Sequence, residues 1–348
     1  MRSLTFALAL TIVACDDTPM ERPTEEPTST TNPNVPSTST LSDTTSDTET
    51  HTGGTASSEY ADILPGEPYA GDAVELELDI GGLPFYVRTY GDGPNVVVVI
   101  NGGPGQSHHY CESADVLATT EVKVVTFDQR GTGLTPHPQN ANYAMDRYAK
   151  DVEELRVALG AEQLHLIGHS FGGAYAMAYT ADFNSRVASL QLFSSSTVRQ
   201  IDVDTMEFEA RILDYEQDGT FPPGYNELDG DNNCAPYFQT IWPVYLYDET
   251  FPMTQGLLDT TCDLETFFGT FDSNMFGWDL SRGVGSYTGP VNLYYGEADP
   301  FKEESKSIPK YFDSTTVSEI ELPECGHYWE ECADDVFARA AAFLAESM

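Results

Sequence analysis

Positive charge is scarce in this chain: 16 Lys and Arg stand against 56 Asp and Glu in 348 residues, a formal charge of −40. So acidic a protein repels phosphate, which argues against nucleic acid as a partner. The bland reading of the charge is solubility in a salty or extracellular setting, and the sharper one is attraction of cationic substrates. There is no Cys-x-x-Cys pair among the six cysteines, so no metal is expected, zinc included. The apolar run from Leu4 to Ala14 is too short to span a bilayer. Residues 16 to about 58 contain almost no large apolar side chain, so burial cannot offset their ordering entropy and disorder is expected.

The N-terminus nevertheless carries an address. Arg2 and the short apolar run end in Ile12-Val13-Ala14-Cys15, which resembles the lipobox of bacterial lipoprotein signals. Residues 1–14 then form a signal peptide, Cys15 takes the lipid, and residues 15–70 form a Thr-, Ser-, Pro- and acid-rich tether. An ordinary cleaved secretory signal is the alternative. Either way the protein is extracytoplasmic, membrane-anchored in the first case and secreted in the second. An oxidising compartment favours disulfides among the remaining cysteines. Cys234 and Cys262 share one segment, and Cys325 and Cys332 bracket a histidine, so those pairs are expected. Cys111 competes for Cys325, and the odd count leaves one thiol over.

From residue 73 the pattern alternates between strands and helices. Strands are predicted over 74–80, 84–90, 95–100, 122–127, 163–168, 187–193, 291–295 and 317–322. Helices are predicted over 148–159, 172–181 and from about 332 to 344. The run Asn95-Val96-Val97-Val98-Val99-Ile100 suits a strand buried on both faces of a parallel sheet. After Ser196 the alternation stops. Residues 197–286 hold a helical segment at 205–216, an acidic Gly-, Pro- and Asn-rich loop, and aromatic stretches at Tyr237-Phe238 and 242–247. The simplest account is an α/β core over 71–196 and 287–348, interrupted by a mainly helical cap.

Gly168-His169-Ser170-Phe171-Gly172 lies where a strand gives way to a small-residue helix. A serine on so sharp a turn takes a strained backbone, and the flanking glycines leave room for the adjacent strand and helix. The turn also aims the helix N-terminus at the hydroxyl. A serine needs a base, and the base needs an acid to fix its tautomer. In this topology both should follow later strands, acid before base. Of seven histidines only His327 follows a late strand. The acid is Asp299, favoured over Glu297, although an Asp before Pro300 also suits a plain turn. Donors for a tetrahedral oxyanion are expected from the N–H of Phe171 and from the loop Asn101-Gly102-Gly103-Pro104-Gly105.

Three motifs carry a family resemblance together: that glycine loop, Asp128-Gln129-Arg130-Gly131-Thr132-Gly133, and the turn at Ser170 through Gly173. They resemble the proline iminopeptidase and tripeptidyl aminopeptidase group of α/β-hydrolases over roughly residues 73–348, with the cap matching poorly. The resemblance implies an α/β-hydrolase fold, a mostly parallel central sheet with helices on both faces and an inserted cap. It implies Ser170, Asp299 and His327 as catalytic residues, Gly103 and Phe171 N–H groups as the oxyanion hole, and Asp128 and Arg130 as braces beneath the loops. The group usually has His where Asn101 stands, whereas its secreted branch tolerates Asn. Gly326-His327 followed by Cys332 is similar to that branch. The cap acids that hold a substrate's amino terminus in this group have no clear counterpart here; Glu207 and Glu209 on the first cap helix are the candidates. The implied activity is a cofactor-free serine aminopeptidase acting on short peptides. The alternatives are an esterase or lactonase on the same scaffold and a catalytically inactive surface-binding module.

Overall fold

The computed structural model describes residue 60, residues 63–222 and residues 232–348. The signal segment, Cys15 and most of the expected tether lie outside the described residues. The chain opens with an antiparallel pair, β1 (Val74–Ile80) and β2 (Leu83–Tyr90), joined across Gly81-Gly82. Then come β3 (Asn95–Ile100), β4 (Val122–Phe127), α1 (Met145–Ala158), β5 (Leu164–His169), α2 (Phe171–Phe183) and β6 (Val187–Phe193). After the cap follow β7 (Val291–Gly296) and β8 (Val317–Leu322). The strands form one eight-stranded sheet in the order β1-β2-β4-β3-β5-β6-β7-β8, parallel from β4 onward.

Side-chain alternation in the sheet explains the two cores. Val96, Val98 and Ile100 of β3 enter one apolar cluster with α1 and α2, while Val97 and Val99 enter a second on the opposite face. Ten successive residues of α2, Phe171 to Thr180, are buried, because the helix is clamped between the sheet, α1 and a cap helix. A helix apolar all round belongs in such a place. The expected α/β architecture with helices on both faces is therefore present.

The cap consists of short helices: α3 (Met206–Asp218), α4 (Ala235–Thr240), α5 (Gln255–Asp259), α6 (Leu264–Ser273) and α7 (Ser281–Val284). Two helices follow in the second part of the core. The shorter, α8 (Lys302–Lys306), has no counterpart among the predicted elements, and α9 (Ala333–Ser347) closes the chain. Val336, Phe337, Ala340, Ala341 and Leu344 make one stripe of α9 against the second cluster. Among the described residues no helix is long and apolar enough to cross a membrane.

One boundary moves. Composition extends the tether through residue 70, but Tyr60 and Leu64 are buried in the second cluster. Tyr69 N donates to Ala118 O at 3.1 Å, and Thr119 Oγ1 donates to Pro65 O at 2.6 Å. The few apolar residues in this stretch pack into the second cluster and against the segment before β4, and a window dominated by polar neighbours conceals them. Among the described residues the disulfides are Cys234–Cys262 and Cys325–Cys332, and Cys111 is free and buried.

A buried ion pair fixes the turn after β4. Arg130 Nε and Nη2 each donate at 2.6 Å to the carboxylate of Asp151 on α1, and Nη1 donates to Asn142 O at 3.1 Å. Arg147 holds the same carboxylate from solvent's side at 2.6 Å. Removing one partner of a buried pair leaves the other uncompensated, at a cost of ~3–5 kcal/mol. Because Arg147 remains, Arg130→Met is expected to cost roughly 3 kcal/mol, read as a lower urea midpoint at unchanged slope. A stability loss under about 1 kcal/mol would mean that Arg147 alone satisfies Asp151.

Candidate active site

Ser170 stands between β5 and α2 with φ 54° and ψ −126°, and it makes no side-chain cap for the helix. Its hydroxyl is thus left for other partners. The backbone is held by Ser170 N donating to Phe193 O at 2.9 Å, while Ser170 O accepts from Gly173 N and Ser196 N. The flanking glycines answer to close approach. A Cβ on Gly172 would lie 2.1 Å from Ile100 O, and one on Gly168 would lie 2.7 Å from Gly173 Cα.

The structure brings the three residues at the ends of β5, β7 and β8 together. His327 Nε2 lies 2.9 Å from Ser170 Oγ, and His327 Nδ1 lies 2.8 Å from Asp299 Oδ1. Asp299 is fully buried, and its Oδ1 also accepts from Phe301 N at 2.9 Å. Burial pushes its pKa up, but the facing His327 imidazole and these hydrogen bonds outweigh burial and hold the carboxyl below its ordinary value. Such a line can pass a proton from the hydroxyl to the imidazole while the carboxylate stays ionised. Glu297, the other candidate acid, instead accepts from Glu324 N at 3.2 Å.

A second hydrogen-bonded line, which no sequence motif announces, fixes three loops against one another. Gly102 N donates to the Tyr110 hydroxyl at 2.5 Å, and that hydroxyl lies 2.9 Å from His169 Nδ1. His169 Nε2 lies 2.9 Å from His327 O, a group that can only accept. The tautomer follows: Nε2 carries the proton, so Nδ1 accepts from Tyr110. Burial lowers the His169 pKa to about 3, which keeps the ring neutral and the line in one sense. From the other side, His327 N donates to Tyr245 O of the cap at 2.7 Å.

The glycine loop lies over the serine. Gly103 takes φ 123°, and a Cβ on Gly102 would fall 2.8 Å from Ser170 Cβ. Gly103 and Phe171 both border the cavity above Ser170. Asn101 points into the loop rather than toward the serine, donating to Gln106 O at 2.7 Å and Gly102 O at 3.1 Å. Pro104 and Gly105 complete the loop, and Gly105 O accepts from Asp263 N of the cap at 2.9 Å. Asp128 lies beneath, its Oδ1 accepting from His108 N at 3.0 Å and facing His108 Nδ1 at 2.8 Å.

His108 lies between two carboxylates. Burial opposes its charge, but Asp128 on Nδ1 and Glu112, 3.2 Å from Nε2, prevail and raise its pKa to about 9. His108, His109 and Glu112 bring ligand-type atoms within 4.8 Å of one another. An imidazolium already held by two carboxylates is a poor ligand for a cation, so we assign no metal to this cluster.

Nine of the seventeen described residues that line the cavity around Ser170 and His327 are aromatic, Phe208, Tyr245, Phe267, Phe271, Trp278 and Phe301 among them. The anticipated cap acids are not in it. Glu207 pairs with Arg211 at 2.5 Å on the exposed side of α3, and Glu209 accepts from Thr205 Oγ1 at 2.7 Å. Among the described residues, the acid that does border the cavity is Glu304 of α8. In the sequence it sits inside Lys302-Glu303-Glu304-Ser305-Lys306, which reads as a solvated charged turn.

Comparison with known proteins places this geometry. The family described as alpha/beta hydrolase fold matches residues 95–242. A proline iminopeptidase of Lactobacillus delbrueckii subsp. lactis is 30% identical over 168 residues, 43% of this chain and 57% of that protein. One from Lactobacillus helveticus is 31% identical over 191 residues, 48% of this chain and 65% of that protein. The chain thus spans 57% and 65% of the length of these two curated relatives. Among solved structures, the proline iminopeptidase of Mycobacterium smegmatis superposes with a TM-score of 0.59 at 19% identity, covering 79% of this chain and 98% of that one. A bacterial membrane phospholipase A gives 0.60 at 19% identity over 79% and 86%. An epoxide hydrolase, CorEH, gives 0.56 at 20% identity over 80% and 100%. At these identities the superpositions speak to fold alone.

Two expectations follow from the local chemistry. Tyr110→Phe leaves Gly102 N–H and His169 Nδ1 without their shared partner, at a cost of roughly 1–3 kcal/mol in unfolding free energy by denaturant. An unchanged midpoint would show that the hydroxyl line constrains nothing. For His108 the folded pKa lies above the ordinary 6.5. Its stabilisation is therefore complete below about pH 6.5 and disappears as pH rises through about 9. Burial also raises Glu304 and Glu330 to about 8, so both lose stability in the same direction over lower pH. The clean readout is the difference between wild type and His108→Gln, which should narrow by about 3 kcal/mol from pH 6 to pH 9.5. A difference that does not change with pH would mean His108 is not an imidazolium in the folded state.

Proposed function

Because the chain belongs to the α/β-hydrolases, in their proline iminopeptidase-like group, we propose that it is a serine hydrolase that works through an acyl-enzyme on short peptides with a free N-terminus. The observation that carries this reading is the hydrogen-bonded line from Asp299 through His327 to Ser170, set in the wall of a largely aromatic cavity. Ser170 Oγ attacks the substrate carbonyl as its proton passes to His327 Nε2. Asp299 holds Nδ1–H and stabilises the imidazolium without taking the proton. The oxyanion that forms is received by the backbone N–H groups of Gly103 and Phe171. Collapse breaks the amide, His327 protonates the departing amine, and an ester to Ser170 remains. Water then attacks that ester by the same sequence in reverse, restoring the serine.

A second reading, an esterase or lactonase, is favoured by the aromatic cavity wall, since fold and triad do not choose the acyl group. We also place the protein outside the cytoplasm, held by a lipid on Cys15. The N-terminal pattern and the two disulfides support this placement.

Prolyl and alanyl p-nitroanilides, compared with short p-nitrophenyl esters, separate the two enzymatic readings. Wild type should release p-nitroaniline from the aminoacyl amides, and Ser170→Ala should lose at least about a thousandfold of that rate. Ester turnover without amide turnover would select the second reading. Failure of a fluorophosphonate to label Ser170 in folded protein would overturn the acyl-enzyme and leave a binding module.

A further inference from the structure

The cavity beside Ser170 contains a carboxyl that acyl transfer does not use. Glu304 is only 4% exposed. Its Oε2 accepts from Ser196 Oγ at 3.1 Å and its Oε1 from Asp204 N at 3.1 Å. Beyond those two donors, its surroundings in the cavity are largely aromatic, Phe208, Trp278 and Phe301 among them. A carboxylate so enclosed needs a counter-charge. Among the described residues no Lys or Arg forms an ion pair with it. On its own helix Lys302 faces Glu321 and Lys306 faces Glu303. From the loop after β7 comes Asp299, and from the segment before α3 comes Asp204, both acids that add repulsion to the effect of burial. The other titratable groups in the wall, among the described residues, are Tyr237 and Tyr245, whose pKa values burial raises so that both stay neutral, and His327, whose two ring nitrogens are directed at Ser170 and Asp299.

We propose that Glu304 is the receptor for a protonated amino group on the acyl part of the substrate, and that it makes the cavity selective for cationic acyl groups. This inference rests on the peptide reading above and names the residue that would impose it. The two acids on α3 cannot serve, since one is engaged by Arg211 and the other by Thr205, and neither borders the cavity. Glu304 and Ser170 line the same cavity, so a substrate amino group held by the one and a carbonyl attacked by the other would share a single space. An entering ammonium supplies the missing charge and draws the carboxyl into its ionised form. Burial raises the Glu304 pKa to about 8 in the empty cavity. Below that pH, binding must therefore expel a proton, and affinity for an ammonium should rise from pH 6 to pH 8. A neutral ligand of the same shape should bind independently of pH over this interval.

Benzylamine and benzyl alcohol, titrated calorimetrically into the full chain, differ in this charge and are not acyl substrates. Wild type should bind the amine at least tenfold more tightly at pH 7.5, with proton release to buffer. Glu304→Gln should abolish the preference while holding the alcohol's affinity within about threefold, and Glu304→Asp should restore part of it. The proposal is overturned if wild type shows no preference, if it binds neither ligand, or if the glutamine variant keeps the preference. It is also overturned if that variant loses both ligands together, the mark of a structural role. Hydrolysis of the aminoacyl anilides is scored separately. Inert anilides together with a Glu304-dependent amine preference would remove the peptide reading and leave the cationic acyl site standing.

Discussion

A serine held at φ 54° and ψ −126° is the constraint on which the rest of the site depends. For a residue with a Cβ such a conformation costs of order 1–3 kcal/mol, and it persists only where neighbours over-determine it. Here they do so through backbone alone: Ser170 N to Phe193 O, and Gly173 N and Ser196 N to Ser170 O. The end of β6 is thereby fixed to the turn. That same end presents Ser196 Oγ to Glu304 and lets Ser195 O accept from Ser305 Oγ at 3.0 Å. The strained serine and the buried acid beside it are consequences of one strand exit.

The loops that meet at Ser170 come from distant parts of the chain, yet few side chains join them. Tyr110 and His169 carry most of that load, linking Gly102, the strand-to-helix turn and the carbonyl of His327 in one directed line. A neutral, fully enclosed imidazole suits this task because its two nitrogens differ, one donating and one accepting. Around His327 the Cys325–Cys332 bridge and Glu331 add further closure. The Glu331 carboxylate accepts from Gly326 N at 2.8 Å and from Asp248 N of the cap at 2.9 Å. The cap is therefore tied to the histidine loop by backbone donors, and its packing bears on where the imidazole sits.

Much of this arrangement is legible in the amino-acid sequence. The β-branched run of β3, the strand exits that end in Asp299 and His327, and the glycines around Ser170 are local signals, each with a steric or covalent reason at its own position. Other residues have reasons that exist only in three dimensions. Asp151 lies on a helix whose pattern marks it as one more surface acid, and only Arg130 from the β4 turn makes it internal. Glu304 belongs to a five-residue helix with two lysines, and its burial follows from α8 resting on Ser195 and Ser196. Glu207 and Glu209 mislead in the opposite direction. The apolar residues of α3 buried against its neighbours are Phe208 and Ile212, which turn Glu207 outward to Arg211. Acid content alone does not distinguish these cases, because helical phase and the identity of the facing element decide burial.

The same distinction separates two roles for acidity in this protein. A formal charge of −40 makes a long-range field, but its acids are mostly solvated, and salt screens them beyond about 10 Å. Such a field can raise the encounter rate of any cation and cannot tell one cation from another. A carboxyl buried in a largely aromatic cavity acts only at contact, where the low dielectric magnifies a single charge and penalises any ligand that fails to neutralise it. Selectivity that survives high salt would therefore belong to Glu304, whereas a preference that fades as salt is added would belong to the surface. The chain's abundance of acid and its choice of substrate are, on this physical ground, separate properties.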